Sequence, residues 1–399
     1  MKYNLFTFFC LYIAQTLPMT FFSTALQVTM RQASFSLSAI AMLQFIKLPW
    51  VLKFLWSPLV DKHCNTMKEF RRCIFISEGI YALLILSVGH LDLQRDFYFI
   101  IALIFISLIA SATQDIATDA LAVLSFSKKD KGLVNSMQSL GSFAATLIGS
   151  GVLLALLQHY GWHYVLPFLA VFVILAITPL WRNKSLRIHP QPMAPKVSRA
   201  DFIWFFTRKS IWRQIGFLML YYAGIIGSLS MLRPYLVDLG YSMKEIGFMS
   251  GIMGSGMACI ASLASGQMIH LCGSFITRRV VACCSLFATL FLFAISMGTP
   301  TYAMIVIGLM LVWLCYGLST VVVYTTAMNN VRPGREGTDF TVQTVITHLS
   351  GLLVSLVSGR IADLMGYNDL FLFESFLAAA TVLYVFLMFH KEKENSKKS

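Results

Sequence analysis

The sequence predicts an all-α membrane protein with twelve transmembrane helices. Hydrophobic residues make up 57% of the 399-residue chain and charged residues 12%, and the mean hydropathy is +0.71. The apolar residues are gathered into twelve runs, each long enough to cross a bilayer, which takes about 20 apolar residues. A soluble protein of this composition would have an apolar surface, whereas lipid solvates the outer face of a polytopic membrane protein.

The twelve runs follow one another with short polar gaps and define the predicted helices in chain order. The first run is longer than the apolar core of a typical signal peptide, so we interpret it as an uncleaved first helix. The spans lie near residues 4–29, 35–60, 72–91, 97–126, 132–158, 163–181, 213–238, 244–270, 278–298, 301–328, 338–361 and 368–390.

Lysine and arginine residues are concentrated in alternate gaps between these spans. With the N-terminus inside, the inside segments contain 24 of the 31 Lys and Arg residues, and the outside loops contain only Arg31, Arg95 and Lys244. Because positively charged loops stay on the cytoplasmic side, this distribution predicts that both termini are cytoplasmic. The net charge of +13 therefore lies in short loops, and no folded domain offers the basic face that nucleic-acid binding requires.

The longest polar gap divides the spans into six and six, and the halves resemble each other. Two parallel six-helix repeats joined by a cytoplasmic loop are the plan of major facilitator transporters, so the major facilitator fold is predicted. The predicted parts are an N-terminal half at 1–181, a central cytoplasmic loop at 182–212, a C-terminal half at 213–390 and a cytoplasmic tail at 391–399.

The loops after the second and the eighth spans are the clearest copies of each other, since each is a helix end followed by an arginine pair. In major facilitator proteins, loops of this Asp…Arg-Arg form latch the two halves on the cytoplasmic side. The resemblance therefore implies a cytoplasmic gate of Asp61, Arg71, Arg72, His270, Arg278 and Arg279. His270 stands where the second copy usually has an acidic residue, which would make this latch weaker or pH-sensitive.

A small set of ionisable residues lies inside the predicted spans, where a charge costs about 2.5–3.5 kcal/mol and needs a partner or a water-filled cavity. Asp115 and Asp119 are four residues apart and share one face of the fourth span. Lys53 lies at a similar depth on the second span and is the predicted partner of one of them. The other Asp would then carry a proton, with His348 as a candidate relay; alternatively, both carboxylates are structural.

Polar side chains also project from several spans, and polar side chains avoid lipid. Helix rotation decides which of them face a central cavity, and spacing alone does not fix that rotation. The candidates for a substrate cavity are Gln15, Gln44, Lys47, Gln114, Gln138, Tyr222 and Gln343.

Two segments of the N-terminal half resemble one group of major facilitator transporters. Lys53-Phe-Leu-Trp-Ser-Pro-Leu-Val-Asp61 and Ser111-Ala-Thr-Gln-Asp-Ile-Ala-Thr-Asp-Ala120 resemble motifs of the second and fourth helices in AmpG-type muropeptide permeases and the related acetyl-CoA transporters. The shorter siderophore permeases of the RhtX/FptX type are similar as well. The resemblance implies secondary active, proton-driven uptake of a bulky polar solute, with the functional weight on Lys53, Gln114, Asp115 and Asp119.

The compact length favours a ferric siderophore as the solute, with a muropeptide as the alternative and a drug or metabolite exporter as a lesser one. An enzyme is not expected, because the eight histidines are scattered without a metal-binding or catalytic pairing. No metal or cofactor is predicted. The expected protein is a monomeric, multi-pass protein of the bacterial inner membrane, whose partners are the solute, protons and lipid, with no nucleic acid.

Overall fold

The computed structural model describes residues 1–32, 46–92, 95–189, 201–207 and 209–389. Within these ranges the regular structure is helical and contains no strand, as the composition predicts. Ten helices in the described ranges are long and apolar enough to cross a membrane. The all-α membrane fold is therefore confirmed.

The α-helices are numbered here in chain order. Short 3-10 and π-helical segments, at Lys53–Leu55, Ile148–Val152 and Gly247–Gly254, continue α2, α6 and α13. The helices are α1 Lys2–Gln32, α2 Leu48–Leu52, α3 Ser57–His63, α4 Met67–Gly89, α5 Phe97–Ser125, α6 Lys131–Leu147, α7 Leu153–Tyr160, α8 Trp162–Ala176, α9 Thr178–Arg182, α10 Asp201–Phe205, α11 Lys209–Leu220, α12 Ala223–Asp238, α13 Met243–Ile246, α14 Ser255–Ser296, α15 Tyr302–Asn329, α16 Glu336–Met365 and α17 Tyr367–Met388.

Two regions explain why the described ranges contain ten candidate spans where the sequence predicts twelve. The first part of the predicted second span, 35–60, falls outside the described residues, and α2 and α3 cover its remainder. The predicted eighth and ninth spans lie on one continuous segment, 244–296. Gly273 interrupts that segment with a φ of 80°, a left-handed conformation that glycine adopts without steric cost. The count of twelve remains a prediction.

The chain forms two compact units, and each takes segments from both predicted halves. Unit 1 comprises residues 1–126, 141–203 and 331–342, and unit 2 comprises 127–140, 204–330 and 343–399. Helices α6 and α16 each contribute one part to unit 1 and the other to unit 2. The predicted division at the central loop is not tested by this grouping and stays a prediction.

The core of unit 1 is an apolar cluster formed by α1, α4, α5 and α8. The Trp162 ring lies 6.3 Å from the Phe21 ring and 6.2 Å from the Phe22 ring, measured between centroids. Its indole N–H donates to the Val88 carbonyl oxygen at 3.1 Å. A buried indole needs such an acceptor, so this bond orients α8 against α1 and α4.

The largest helix contact in unit 2 joins α14 and α15, which approach closely because small residues line the contact. A side chain at Gly317 would overlap the backbone of Ala258. Close backbone approach through small residues is the usual way in which membrane helices pack, since lipid removes the hydrophobic driving force between them. Many large apolar side chains remain exposed on the outer face, including Phe287 and Leu356, as expected for a lipid-facing surface.

Candidate transport site

Helix α5 brings two carboxylates into the interior of unit 1. Asp115 and Asp119 are one turn apart on this helix, and both are buried, with exposed fractions of 2% and 0%. Apart from Gln114, the buried part of the helix is built from apolar and small residues, and the carboxyls find their polar partners on neighbouring helices. Those partners come from α1 and from the turn after α2.

Lys53 forms an ion pair with Asp115, and both side chains are almost fully buried. The turn that follows α2 places the lysine here, and its ammonium also lies 4.9 Å from the centroid of the Trp50 ring. Gln15 on α1 donates to the other oxygen of Asp115 at 2.6 Å. A charge pair removed from water needs such additional hydrogen bonds to be tolerated.

Asp119 has a different partner, Tyr12 on α1, whose hydroxyl donates to it at 2.8 Å. Asp119 lies one helical turn from Asp115 on the same helix. The site thus combines one cation and two buried carboxyls.

Tyr12 was not among the predicted site residues. It lies three residues before Gln15, on the same face of α1, and this spacing is the feature of the sequence that links it to the site. A side chain at Gly141 would meet Tyr12 Cβ and the backbone of Ile13 and Phe9, so the glycine allows residues 141–147 of α6 to pack closely on this part of α1.

The other candidate residues of unit 1 differ in their surroundings. Gln114 is fully buried, and neither its amide nitrogen nor its oxygen has a hydrogen-bond partner among the described residues. Lys47 precedes α2 and lines a small cavity with Ser23 and Leu108. Gln44 lies outside the described residues. Gln114 is therefore a buried polar group on α5, next to Asp115, whose hydrogen-bonding capacity the described residues leave unused.

Four predicted residues belong to unit 2. Gln343 is buried between two partners, since it accepts from Gln214 at 3.0 Å and donates to the Ala327 carbonyl oxygen at 3.1 Å. Gln138 is buried on α6, and His348 is exposed on α16. Tyr222 is buried at the start of α12.

Tyr222 belongs to an aromatic cluster with two residues of α15. Its ring is 6.1 Å from that of Tyr316, which in turn is 6.0 Å from Trp313, and both pairs meet edge to face. Trp313 lies over Gly254 at the end of the π-helical segment, where any side chain would overlap the indole. The indole N–H is buried and has no acceptor among the described residues. Buried indole N–H groups usually find an acceptor, so an unsatisfied one is an unusual feature of this cluster.

Asp61, the first predicted gate residue, is bound to the start of α16 within unit 1. Its carboxyl accepts from the backbone N–H groups of Gly337 and Thr338 at 2.8 and 2.7 Å and from the Thr338 hydroxyl at 2.5 Å. The first N–H groups of a helix have no partner inside the helix, and a carboxylate satisfies them well. Burial raises the pKa of the Asp61 carboxyl to about 7, against these hydrogen bonds, which lower it.

Of the remaining gate residues, three contact groups within their own unit and Arg72 is exposed. Arg71 donates to the Asn183 carbonyl oxygen at 2.5 Å. Arg278 is buried, with its guanidinium 4.2 Å from the centroid of the Phe389 ring, while that of Arg279 is 4.1 Å from the Phe275 ring.

His270 lies 3.3 Å from a carboxylate oxygen of Asp130. In the second copy of the loop, the imidazole of His270 thus faces Asp130, the residue before α6. In the first copy, Asp61 instead binds the start of α16.

Within the residues that the structure describes, no group of three or more His, Cys, Asp or Glu side chains could hold a metal ion.

Comparison with known families identifies the framework that carries these residues. The model of the Major Facilitator Superfamily matches residues 5–355, which is most of the chain. The chain belongs to the Major Facilitator Superfamily. It is therefore a multi-pass membrane transporter rather than an enzyme, as the two-repeat plan predicts.

Within the Major Facilitator Superfamily, several relatives align along almost the whole chain. An uncharacterized protein of Haemophilus influenzae is 24% identical, with 96% of this chain and 94% of that protein covered. The anhydromuropeptide permease of Escherichia coli K12 is 23% identical, with 96% and 79% covered. The putative transporter AmpG 4 of Rickettsia felis is 20% identical, with 98% and 97% covered. The resemblance to AmpG-type permeases is thereby confirmed, and these relatives place the chain in a bacterial inner membrane.

Solved structures of the superfamily share the fold. A bacterial homologue of the iron transporter ferroportin, crystallised in an outward-facing state, matches with a TM-score of 0.70 at 17% identity, covering 99% of this chain and 100% of that one. The human organic anion transporter MFSD10 also has a TM-score of 0.70, at 15% identity, with 96% and 99% covered. At such identities the likeness establishes the fold alone.

Proposed function

We propose that this transporter imports a sugar-containing solute of the anhydromuropeptide class together with protons. Support for the solute comes from the relatives, because the one from Escherichia coli is named an anhydromuropeptide permease and aligns over 96% of this chain. The comparisons give no support to the ferric siderophore that the chain length favours. The siderophore therefore enters as the competing solute in the test.

The observation that supports proton coupling is the buried cluster in unit 1, which contains two carboxyls but only one lysine. Lys53 pairs with Asp115, while Asp119 receives the Tyr12 hydroxyl. Two adjacent carboxyls with one cation are neutral overall only when they share one proton, and a neutral cluster is the form that burial favours. We assign the exchangeable proton to the Asp115–Asp119 pair, with Lys53 as its permanent partner.

In unit 2, the aromatic cluster of Tyr222, Trp313 and Tyr316 suits a sugar ring. Sugars present an apolar C–H face that packs on aromatic rings, and their hydroxyls accept hydrogen bonds from groups such as the free Trp313 indole N–H. This cluster favours a solute with several hydroxyl groups.

The test is uptake into proteoliposomes under an imposed inward proton gradient. An anhydromuropeptide and a ferric siderophore are compared, each with and without a protonophore. We expect gradient-dependent accumulation of the anhydromuropeptide alone. Accumulation of the siderophore alone would overturn the solute, whereas accumulation that the protonophore does not reduce would overturn proton coupling.

For the gate, we propose that Asp61 holds the cytoplasmic end of the second span against the start of α16. Gly337 permits this contact, because a side chain there would meet Asp61, Ile116 and Ala120. Burial raises the pKa of Asp61 in this contact to about 7, so the contact state binds a proton more readily than an exposed Asp61 would. The contact should therefore strengthen, relative to an open state, as the cytoplasmic pH falls through about 7.

A further inference from the structure

A second buried carboxyl lies in unit 2, far along the sequence from the cluster described above. Glu374 is on α17 and has an exposed fraction of 0%. Its Oε1 lies 2.5 Å from the Ser358 hydroxyl oxygen on α16, and its Oε2 has no hydrogen-bond partner among the described residues. Neither residue belongs to the transport site or to the gate.

Two glycines of α12 face Glu374 at positions where no larger side chain would fit. Gly227 on α12 faces the carboxyl, and any side chain at this position would overlap it. Gly224, one turn earlier, faces the backbone of Glu374 in the same way. The two glycines bring α12 so close to α17 that the carboxyl is enclosed by helix backbone.

No cation compensates this carboxyl among the described side chains. The helices that contact α17 are α11, α12, α14 and α16. In unit 2 their charged and imidazole groups are Arg213, Arg233, Asp238, His270, Arg278, Arg279, His348, Arg360 and Asp363, and none of these forms an ion pair or hydrogen bond with Glu374. An isolated ionised carboxylate in such a place would be very costly, so it takes a proton instead.

The hydrogen bonds of Ser358 require that proton independently. Its hydroxyl oxygen lies 2.7 Å from the Val354 carbonyl oxygen and 2.5 Å from Glu374 Oε1, but a serine hydroxyl has one hydrogen to donate. With Glu374 ionised, both neighbours would be acceptors, and one short contact would join two lone pairs. With Glu374 protonated, its O–H donates to Ser358, whose own O–H donates to Val354, and both contacts become hydrogen bonds.

We propose that Glu374 is a second proton-binding site, in unit 2, and that it carries a proton in this conformation. The proton lies between Glu374 Oε1 and Ser358 Oγ, and the two glycines of α12 keep it from water. The proposal concerns a proton bound to the protein and is independent of the solute that the transporter carries.

Infrared spectroscopy of the purified protein in lipid tests this directly, because a protonated carboxyl has a C=O stretching band that a carboxylate lacks. At neutral pH we expect the Glu374→Gln variant to lose one such band in the difference spectrum against the wild type. Asp369→Asn, which removes an exposed carboxyl from the same helix, is the matched control and should leave the region unchanged.

The Ser358→Ala variant provides a second measurement that retains Glu374. Loss of the hydrogen bond should shift the same band to higher frequency while its intensity remains. Two results would overturn the proposal: a Glu374→Gln spectrum identical to the wild type in the carboxyl region, or a Ser358→Ala spectrum without any shift. Should Glu374→Gln fail to fold, the Ser358→Ala spectrum alone decides.

Discussion

At the scale of single residues, the proposed proton coupling depends on two buried carboxyls of unit 1. If the Asp115–Asp119 pair exchanges the proton, Asp119→Asn removes one titratable group without changing the size of the side chain. We expect proton-driven accumulation to fall roughly 5- to 150-fold, the range typical of coupling free energies of about 1–3 kcal/mol. Exchange of labelled for unlabelled solute, which needs no gradient, should persist and is measured in the same vesicles.

The exposed Asp369→Asn variant is the control for the loss of an acidic group, and its accumulation should equal that of the wild type. Asp115→Asn should also reduce accumulation, although the ion pair with Lys53 adds a structural cost. Full gradient-driven accumulation by both single variants would show that neither carboxyl carries the proton and that both are structural.

The ion pair of Lys53 with Asp115 can be tested separately from transport. Lys53→Ala leaves Asp115 buried without its cation, which we expect to lower stability by about 3–5 kcal/mol. The double variant Lys53→Ala with Asp115→Asn removes both charges and should recover most of that loss, while uptake stays low. Reaction of a thiol dye with the buried Cys10 and Cys315 during heating reports unfolding. A double variant as unstable as the single one would argue against the pair.

The residues of this site could be found from the sequence only where their chemistry is unusual for a membrane span. Lys53, Asp115 and Asp119 stand out because ionisable groups inside spans are costly. Tyr12 does not, since tyrosine is common in membrane helices and its partner Asp119 is 107 residues away. The contact of Asp61 with Thr338 could not be predicted from the sequence either, because the two residues are 277 positions apart and meet only through helix packing.

At the scale of elements, the length of the apolar runs identifies the helices, and the break at Gly273 falls in the predicted gap between the eighth and ninth spans, 271–277. The π-helical segments at Ile148–Val152 and Gly247–Gly254, by contrast, are invisible in hydropathy. They depend on backbone geometry, which composition does not encode.

Helix packing in unit 2 can be tested with two glycines that have opposite surroundings. Gly317 on α15 faces Ala258 and Ala261, so Gly317→Ala should push α14 and α15 apart and lower stability by about 1–3 kcal/mol. Gly256 on α14 has open space around it, so Gly256→Ala should be neutral or should stabilise by up to about 1 kcal/mol through helix propensity. Thermal unfolding of both variants gives the comparison, and equal melting temperatures would contradict close packing at Gly317.

For the whole molecule, membership of the Major Facilitator Superfamily confirms the fold and the class of activity that the two-repeat plan predicts. The identity of the solute does not follow from the same observations. Length favoured a siderophore, yet the relatives that align along the chain include an anhydromuropeptide permease. Solute choice depends on a few side chains whose orientation is set by helix rotation, and global features such as length carry no information about them.

The orientation of the whole chain in the membrane is a further prediction, and it follows from charge alone. Because 24 of the 31 Lys and Arg residues lie in the segments predicted to be inside, both termini should be cytoplasmic. A green fluorescent protein fused after Ser399 should fluoresce, since it folds in the cytoplasm, and alkaline phosphatase at the same place should be inactive. Alkaline phosphatase fused in the loop at Arg95 should be active and is the matched control. The prediction places nine spans, an odd number, between the two fusion sites. Active phosphatase at the C-terminus would require an even number there, and the count of twelve helices would then be wrong.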